Sequence, residues 1–501
     1  MRIPIDHENQ TPLYQQIETY LRDMICSGQL APSTRLPATR QLARDLGINR
    51  ITVETAYAEL EADGLIFSRV GSGTYVLPSA ALPPLLDSSP GAPWPLWQQA
   101  LAADRAASRP AEPVALPADF LHPDPINFAG GVGDSHLFPV DDFARVIRAV
   151  TRRDGMAALD YGENSGYGPL RATIAQVLTS QGIAVRPENV LVTAGSQQAL
   201  ALVAQILLRP GDTVLVESPT YGVALDLFRT LRLQVVGIPL DERGMQVEKL
   251  EPLLQQHHPR LIYTIPNFQN PTGACLSSAR RRQLIALADR YNVPILEDDF
   301  VGDLRYEGRA QPALKSLDPG GRVIYVSTFS KMLMPGLRVG FLVAEGPVYT
   351  SLLDCKSLTD LTTSSLLQRA VEAYVTVGRY QAHLRRSCQI YPRRRDAMLQ
   401  AVQRHLPGVQ FETPQGGLYL WLRLPDGRSS ADLLPLAQAQ GVIFAPGGSF
   451  FPNPAEGAPY LRLNFVTQRP EMIEEGIARL GRALNVLIAT DGYQSPWIME
   501  E

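Results

Sequence analysis

From about Asn127 onward, short apolar runs recur at regular intervals: VLVTAG, TVLVES, LIYTIP, VPILEDD and VIYVSTF. Each closes near a Gly, Pro, Asn or Asp, and longer amphipathic stretches separate them. Continuous apolar runs of strand length fit strands buried on both faces, which is the situation of a parallel sheet covered by helices. The pattern therefore predicts an α/β domain with a mostly parallel sheet.

The whole chain is longer than this domain. Its 501 residues predict two or three domains. A break falls at about residue 78. After it comes a stretch rich in Pro, Ala and Ser, containing LPSAALPPLLDSSPGAPWP, which reads as an extended, semi-stiff linker. We assign residues 1–77 to an N-terminal module, 78–122 to the linker, 123–490 to the α/β domain and 491–501 to a tail without a readable motif. Trp94, Leu96 and Trp97 interrupt the linker; docking on a domain, a buried crossing and a free tether all remain open.

Composition narrows the function classes. The net charge is −4, so no global basic field attracts nucleic acid, and any DNA contact must come from a local cluster. The four cysteines (Cys26, Cys275, Cys355, Cys388) are scattered, without a CxxC pair or a Cys/His cluster, so neither disulfides nor a metal site is expected. No signal core or membrane-length apolar run is present, and a reducing cytoplasmic location is expected.

Within residues 1–77, Thr11 and Pro12 suit a helix start, and Leu13, Ile17, Tyr20, Leu21, Met24 and Ile25 follow at helical spacing up to Gly28. A second helix spans Thr39–Leu46, stopped by Gly47. Asn49 can cap a third helix bearing Ile51, Val53, Ala56, Tyr57 and Leu60. LIFSRVGSGTYV then supplies two short β runs. Helix, helix, turn, helix, hairpin is the order of a winged helix-turn-helix. Between Ser33 and Val53, Arg35, Arg40, Arg44 and Arg50 face only Asp45, a local positive cluster suited to phosphates or guanine edges. The third helix is expected in the major groove of double-stranded DNA, with Asn49, Arg50, Thr52 and Val53 near its leading end. Gly73 would let the wing approach the backbone. The stretch LPATRQLARDLGINRITVETAYAELEADGLIFSRVGSGTYV resembles the GntR family of regulators.

In the α/β domain, TFSKMLMPGLRVGF places Lys331 between a strand-like run and a Gly/Pro-rich turn, with Thr328, Ser330 and Arg338 close in sequence. Hydroxyls and a guanidinium beside an amine can hold a phosphate there. TAGSQQALALV puts Gly195, Ser196 and Gln197 where a strand becomes a helix, a position whose amides favour a phosphate. Asn270 follows LIYTIPN, and Asp298 follows VPIL, where a carboxylate can keep a pyridinium nitrogen protonated.

The order and spacing of these motifs resemble fold-type I aminotransferases over nearly all of residues 127–490. The resemblance implies pyridoxal 5'-phosphate (PLP) as cofactor, held by Lys331 as a Schiff base. It implies Asp298 at the pyridine nitrogen, Asn270 at the ring oxygen and Tyr221 stacked on the ring. Ser196, Gln197, Thr328 and Arg338 would bind the phosphate, and Tyr161 would reach the phosphate of a neighbouring subunit. Arg462, in LRLNF, would grip an effector carboxylate. Both halves together resemble the MocR subfamily of GntR regulators, which includes GabR-like and PdxR-like proteins. That resemblance implies a head-to-tail homodimer and a PLP-dependent transcription regulator sensing PLP, an amine or an amino acid. The alternative is an active aminotransferase carrying a DNA-binding module. Two positions depart from the pattern: Phe300 stands where many relatives have tyrosine, and Val223 where the GABA-sensing branch has an arginine.

Overall fold

The computed structural model describes residues 3–6, 11–69, 72–77, 94–95, 97–99 and 125–491. The chain divides into two compact units, Met1–Ala100 and Leu101–Glu501. Apart from residues 94–95 and 97–99, the expected linker lies outside the described residues, as does the tail from 492. Trp94 and Trp97 are exposed.

The first unit contains α1 (Leu13–Cys26), α2 (Thr39–Leu46), α3 (Arg50–Ala62), β1 (Ile66–Arg69) and β2 (Gly73–Val76). Pro12, not Thr11, occupies the N-cap of α1, and it makes no side-chain cap. Gly47 closes α2 in the left-handed conformation, and the Asn49 side chain accepts from the Ile51 N–H at 3.0 Å, as the turn chemistry anticipates. Ile17, Leu21, Leu42, Val53, Ala56, Leu60, Ile66 and Val76 form the core. The Tyr57 hydroxyl donates to the Pro37 carbonyl at 2.9 Å and fixes the start of α2 against α3. Residues 33–36 pair with β2 through Ser33 N–H to Val76 O and Leu36 N–H to Thr74 O, both 2.9 Å, so the wing has a third short partner.

The second unit is built on an eight-stranded sheet. Its strands, after β3 (Ile126–Asn127), are β4 (Val190–Thr193), β5 (Thr213–Ser218), β6 (Gln234–Asp241), β7 (Gly244–Met245), β8 (Leu261–Thr264), β9 (Ile295–Asp298), β10 (Val323–Thr328) and β11 (Gly340–Val343). Their order is β4-β11-β10-β9-β8-β5-β6-β7. β5, β6, β8, β9 and β10 pair in parallel, whereas β11 is antiparallel to both neighbours and β7 to β6. β4, β8, β9 and β11 are buried throughout, as expected of strands covered on both faces. In such a sheet the loops leaving the carboxyl ends of the strands converge, and ligands bind there. A four-stranded antiparallel sheet follows: β12 (Gln410–Phe411), β13 (Tyr419–Arg423), β16 (Tyr460–Asn464) and β15 (Ala445–Pro446), while β14 (Val442–Ile443) pairs with β3. No helix among the described residues is long and apolar enough to cross a membrane.

Candidate functional site

The carboxyl ends of β4, β5, β8, β9 and β10 bring Ser196, Tyr221, Asn270, Asp298 and the Lys331 loop to one edge of the sheet. β13 and β16 contribute Tyr419 and Arg462 from the other side. Together they line a cavity of ≈ 360 Å³ that also includes Gly131, Val223, Asp226, Phe300 and Phe450. Residues far apart in sequence thus share one small volume.

Asp298 ends β9 and is 3% exposed. Its Oδ2 accepts from the Tyr263 hydroxyl at 2.9 Å, and its Oδ1 is buried with no hydrogen-bond partner among the described residues. Burial raises its carboxyl to about 7; Tyr263 and Lys331 oppose the rise, and the neighbouring Asp299 charge adds to it. Burial, and then the Arg462 charge, hold the Lys331 amine below the ordinary lysine range, against the pull of Asp298. Glu217, behind the site, is likewise raised to about 7 by burial. It accepts from Thr264 Oγ1 (2.6 Å), Ile265 N (3.2 Å) and Gln269 Nε2 (3.1 Å), fixing the loop that carries Asn270.

Arg462 is buried, with its guanidinium 4.1 Å from the Tyr419 ring centre and 4.9 Å from that of Phe450. It donates to Asn270 Oδ1 and to the Ala129 carbonyl, both at 2.8 Å. Asn270 therefore spends its oxygen on Arg462 and keeps its amide N–H groups for the cavity. Asn464 ties residues 130–132 to β16 through the Gly130 and Val132 carbonyls at 2.9 and 3.0 Å. Phe300 lies beside Tyr419, ring centres 6.4 Å apart, and offers no hydroxyl.

A second cluster adjoins the cavity at Ser196, the first residue of the helix Ser196–Leu207. Gly195, at φ 95°, passes under Arg338: a Cβ there would lie 2.6 Å from its guanidinium. Arg338 donates to Ser330 Oγ at 3.3 Å and to the Ala194 carbonyl at 3.0 Å. Uncapped helix amides, a serine and an arginine form a cradle for an anion.

This arrangement fits the group the sequence implies. The orphaned Asp298 Oδ1 can accept from a protonated ring nitrogen, Asn270 can donate to a ring oxygen, and the Arg338 cradle suits a phosphate. Three expected residues behave differently. The Thr328 hydroxyl donates to the Val339 carbonyl at 3.3 Å and accepts from Ser330 N–H at 3.1 Å, so its single donor shapes the Lys331 loop instead of facing an anion. Tyr161 is 79% exposed and does not line the cavity. Gln197 is outside the lining too, with its Oε1 buried and without a partner among the described residues.

On the first unit, Arg35, Arg40, Arg44 and Arg50 are all exposed. Arg50 pairs with Glu54 along α3 at 2.5 Å. Gly73 has φ 121°, and a Cβ there would meet Arg35 Nε at 2.8 Å, so the missing Cβ makes room for Arg35 against the wing. Val53, expected near the groove, is fully buried instead, and Ile51 is 67% exposed. The buried stripe of α3 is Val53, Ala56, Tyr57 and Leu60, at helical spacing, which leaves Arg50, Ile51 and Thr52 outside the core.

Sequence reasoning missed Tyr263 and Tyr419. A phenol within the mostly apolar LIYTIP run was a usable signal for Tyr263, because a buried phenol needs a partner. Tyr419 carried no such signal.

Comparison with known proteins matches both units. Residues 129–480 match the aminotransferase class I and II family, and residues 13–76 the bacterial regulatory proteins of the gntR family. The chain is 33% identical over 489 residues to a probable rhizopine catabolism regulatory protein MocR of Rhizobium meliloti, covering 96% of each. It is 38% identical over 368 residues to aromatic-amino-acid aminotransferase 1 of Thermococcus litoralis, covering 72% of this chain and 88% of that protein. Among solved structures, LysN, the alpha-aminoadipate aminotransferase of Thermus thermophilus complexed with N-(5'-phosphopyridoxyl)-L-leucine, aligns with a TM-score of 0.71 at 36% identity. That alignment covers 79% of this chain and 99% of LysN.

Proposed function

Because the chain belongs to the aminotransferase class I and II family and also carries a gntR-family module, we propose that it is a PLP-dependent transcription regulator whose C-terminal site senses PLP, an amine or an amino acid. The observation that carries this reading is the presence, on one chain, of a helix-turn-helix with exposed arginines and a complete Lys331–Asp298–Asn270–Arg462 constellation.

In this reading Lys331 Nζ holds the cofactor. Its lowered pKa favours the neutral amine, the form that adds to a carbonyl. Asp298 would keep the proton on the ring nitrogen, and Asn270 would donate to the ring oxygen. Tyr221 would cover one ring face, and Ser196 and Arg338 would hold the phosphate, with Gln197 next to Ser196 at the start of the helix. Arg462 receives the effector carboxylate. When bound, PLP supplies an aldehyde that exchanges one amine for another and a ring that withdraws electrons. An effector shifts DNA binding only if it prefers one arrangement of the protein over another.

A homodimer fits this scheme. Segments 155–164 and 357–365 are joined by Asn164 Nδ2 to Ser357 Oγ (2.8 Å) and Ser365 Oγ to the Ala157 carbonyl (3.3 Å), and they carry exposed Met156, Leu159, Tyr161, Leu358 and Leu361. Exposed apolar groups gathered in this way favour burial against a second copy, with Tyr161 directed to the neighbour's phosphate.

Lys331→Ala tests the reading. The variant should bind operator DNA as the unliganded protein does and lose every response to PLP or amines; an unchanged response refutes it. A second reading, amino-group transfer with turnover, is favoured by the completeness of the same site. Repeated conversion of a keto acid to its amino acid would support it.

A further inference from the structure

The cavity has an ordered distribution of charge. Its ionisable acidic and basic lining groups are Lys331, Asp298, Arg462 and Asp226. The first three are committed. Asp298 is fully enclosed with Tyr263, Lys331 is the amine of the site, and Arg462 lies between Tyr419 and Phe450. Asp226 is paired too, with Arg229, but it differs in exposure. Its side chain is 42% exposed, one helical turn beyond Val223, which is itself 46% exposed. Val223, Ile265, Ala445 and Phe450 make the intervening wall apolar.

The position of Asp226 is fixed from two sides. Gly222 begins its helix so close to the 447–451 loop that a Cβ would lie 2.6 Å from the Ser449 carbonyl oxygen. Thr220 N–H donates to the Phe450 carbonyl at 2.7 Å. Arg229 holds Asp226 Oδ1 at 3.2 Å and donates with its other nitrogen to the Phe451 and Pro452 carbonyls at 2.9 and 3.1 Å. That guanidinium is tied to the loop and does not line the cavity. The cavity wall thus ends in a carboxylate held in place, reached past apolar side chains.

From this arrangement we infer that the effector is an α-amino acid whose aliphatic side chain ends in a cationic group, with Asp226 reading that charge. The inference rests on the amino-effector reading above. Arg462 takes the α-carboxylate, the amino group meets the Lys331 end, the methylene groups lie along Val223 and Ala445, and the terminal ammonium meets Asp226. An acidic side chain would bring two carboxylates together, and like charges in a partly enclosed site repel.

The test uses full-length protein loaded with PLP. L-ornithine, L-norvaline and L-glutamate are titrated, with binding read by the visible absorbance of the cofactor and by calorimetry. Ornithine should bind about tenfold more tightly than norvaline, the scale of a partly exposed charge-assisted contact, with glutamate weakest. D226N should bring ornithine down to the norvaline level while norvaline moves less than about twofold, since norvaline makes no charged contact there. D226K should reverse the order toward glutamate. Glutamate or norvaline binding as tightly as ornithine overturns the inference, as does ornithine selectivity that survives in D226N. Silence of all three amino acids on PLP-loaded protein overturns the amino-effector reading itself, and the inference with it.

Discussion

Replacing Asp298 by asparagine should move stability and cofactor binding in opposite directions. Burial raises the carboxyl from the ordinary aspartate range to about 7, with the Lys331 charge opposing the rise. A folded-state pKa above the unfolded one means that the folded protein holds the proton more tightly. The contribution to stability is complete below about pH 4 and is lost as pH rises through about 7. At about 1.36 kcal/mol per pH unit, the ionised group costs the fold about 4 kcal/mol at alkaline pH. The substituted amide would still accept from Tyr263 through its oxygen but place an N–H where Oδ1 now has no partner, a cost of about 1–3 kcal/mol. Cofactor-free Asp298→Asn protein should therefore be about 1–3 kcal/mol more stable than the parent at pH 8.5 and within about 1 kcal/mol of it at pH 5. With PLP present the sign reverses. Loss of a charge-assisted hydrogen bond of about 1.5–3 kcal/mol weakens PLP binding about 10- to 100-fold. Urea unfolding at the two pH values, followed by tryptophan fluorescence, reads this out, because residues 1–77 contain no tryptophan and Trp94 and Trp97 are already exposed. Glu217 and Glu297, also raised to about 7, should leave a residual pH slope in the variant. A cofactor-free variant less stable than the parent at pH 8.5, or PLP binding unchanged, would refute the assignment of Asp298.

Other outcomes follow from the first unit. Arg40→Ala and Arg44→Ala should each reduce the slope of log affinity against log salt by about 1, measured by fluorescence anisotropy, if each meets one phosphate. Glu54→Gln should free Arg50 from its 2.5 Å pair and tighten DNA binding, most clearly at low salt. Gly73→Val places a side chain on a backbone at φ 121° and against Arg35, so the module should lose about 1–3 kcal/mol in thermal or urea unfolding, and DNA affinity should fall. Thr52→Ala should relax base preference at one operator position by about 1–3 kcal/mol without altering the salt slope, a pattern that binding-site selection can detect.

The elements that carry a strong local signal were legible. Thr39–Leu46 follows Pro37 and ends at a left-handed Gly47, and the buried strands read as apolar runs because nothing on either face is wet. The chemistry-bearing residues of the strand ends were legible for the same reason, since each follows such a run. What stayed hidden depends on tertiary placement. Ile51 and Val53 are both apolar and two residues apart, and only the stripe through Ala56, Tyr57 and Leu60 decides which one turns inward. The capture of the Thr328 donor by the Val339 carbonyl depends on how β11 returns beside β10. Tyr419 reaches the cavity from a separate antiparallel sheet, far beyond Lys331 in the chain. Asp226 lies on a helix whose pattern alone reads as an ordinary surface carboxylate.

The most direct test of the central claim is binding of the full-length protein to the DNA upstream of its own gene, at two salt concentrations, with and without PLP. The account predicts sequence-specific binding that weakens steeply as salt rises and changes in affinity when PLP is added. Binding to that DNA and to other candidate operators that never exceeds the non-specific level, in protein that still holds PLP on Lys331, would contradict it and leave amino-group transfer as the function.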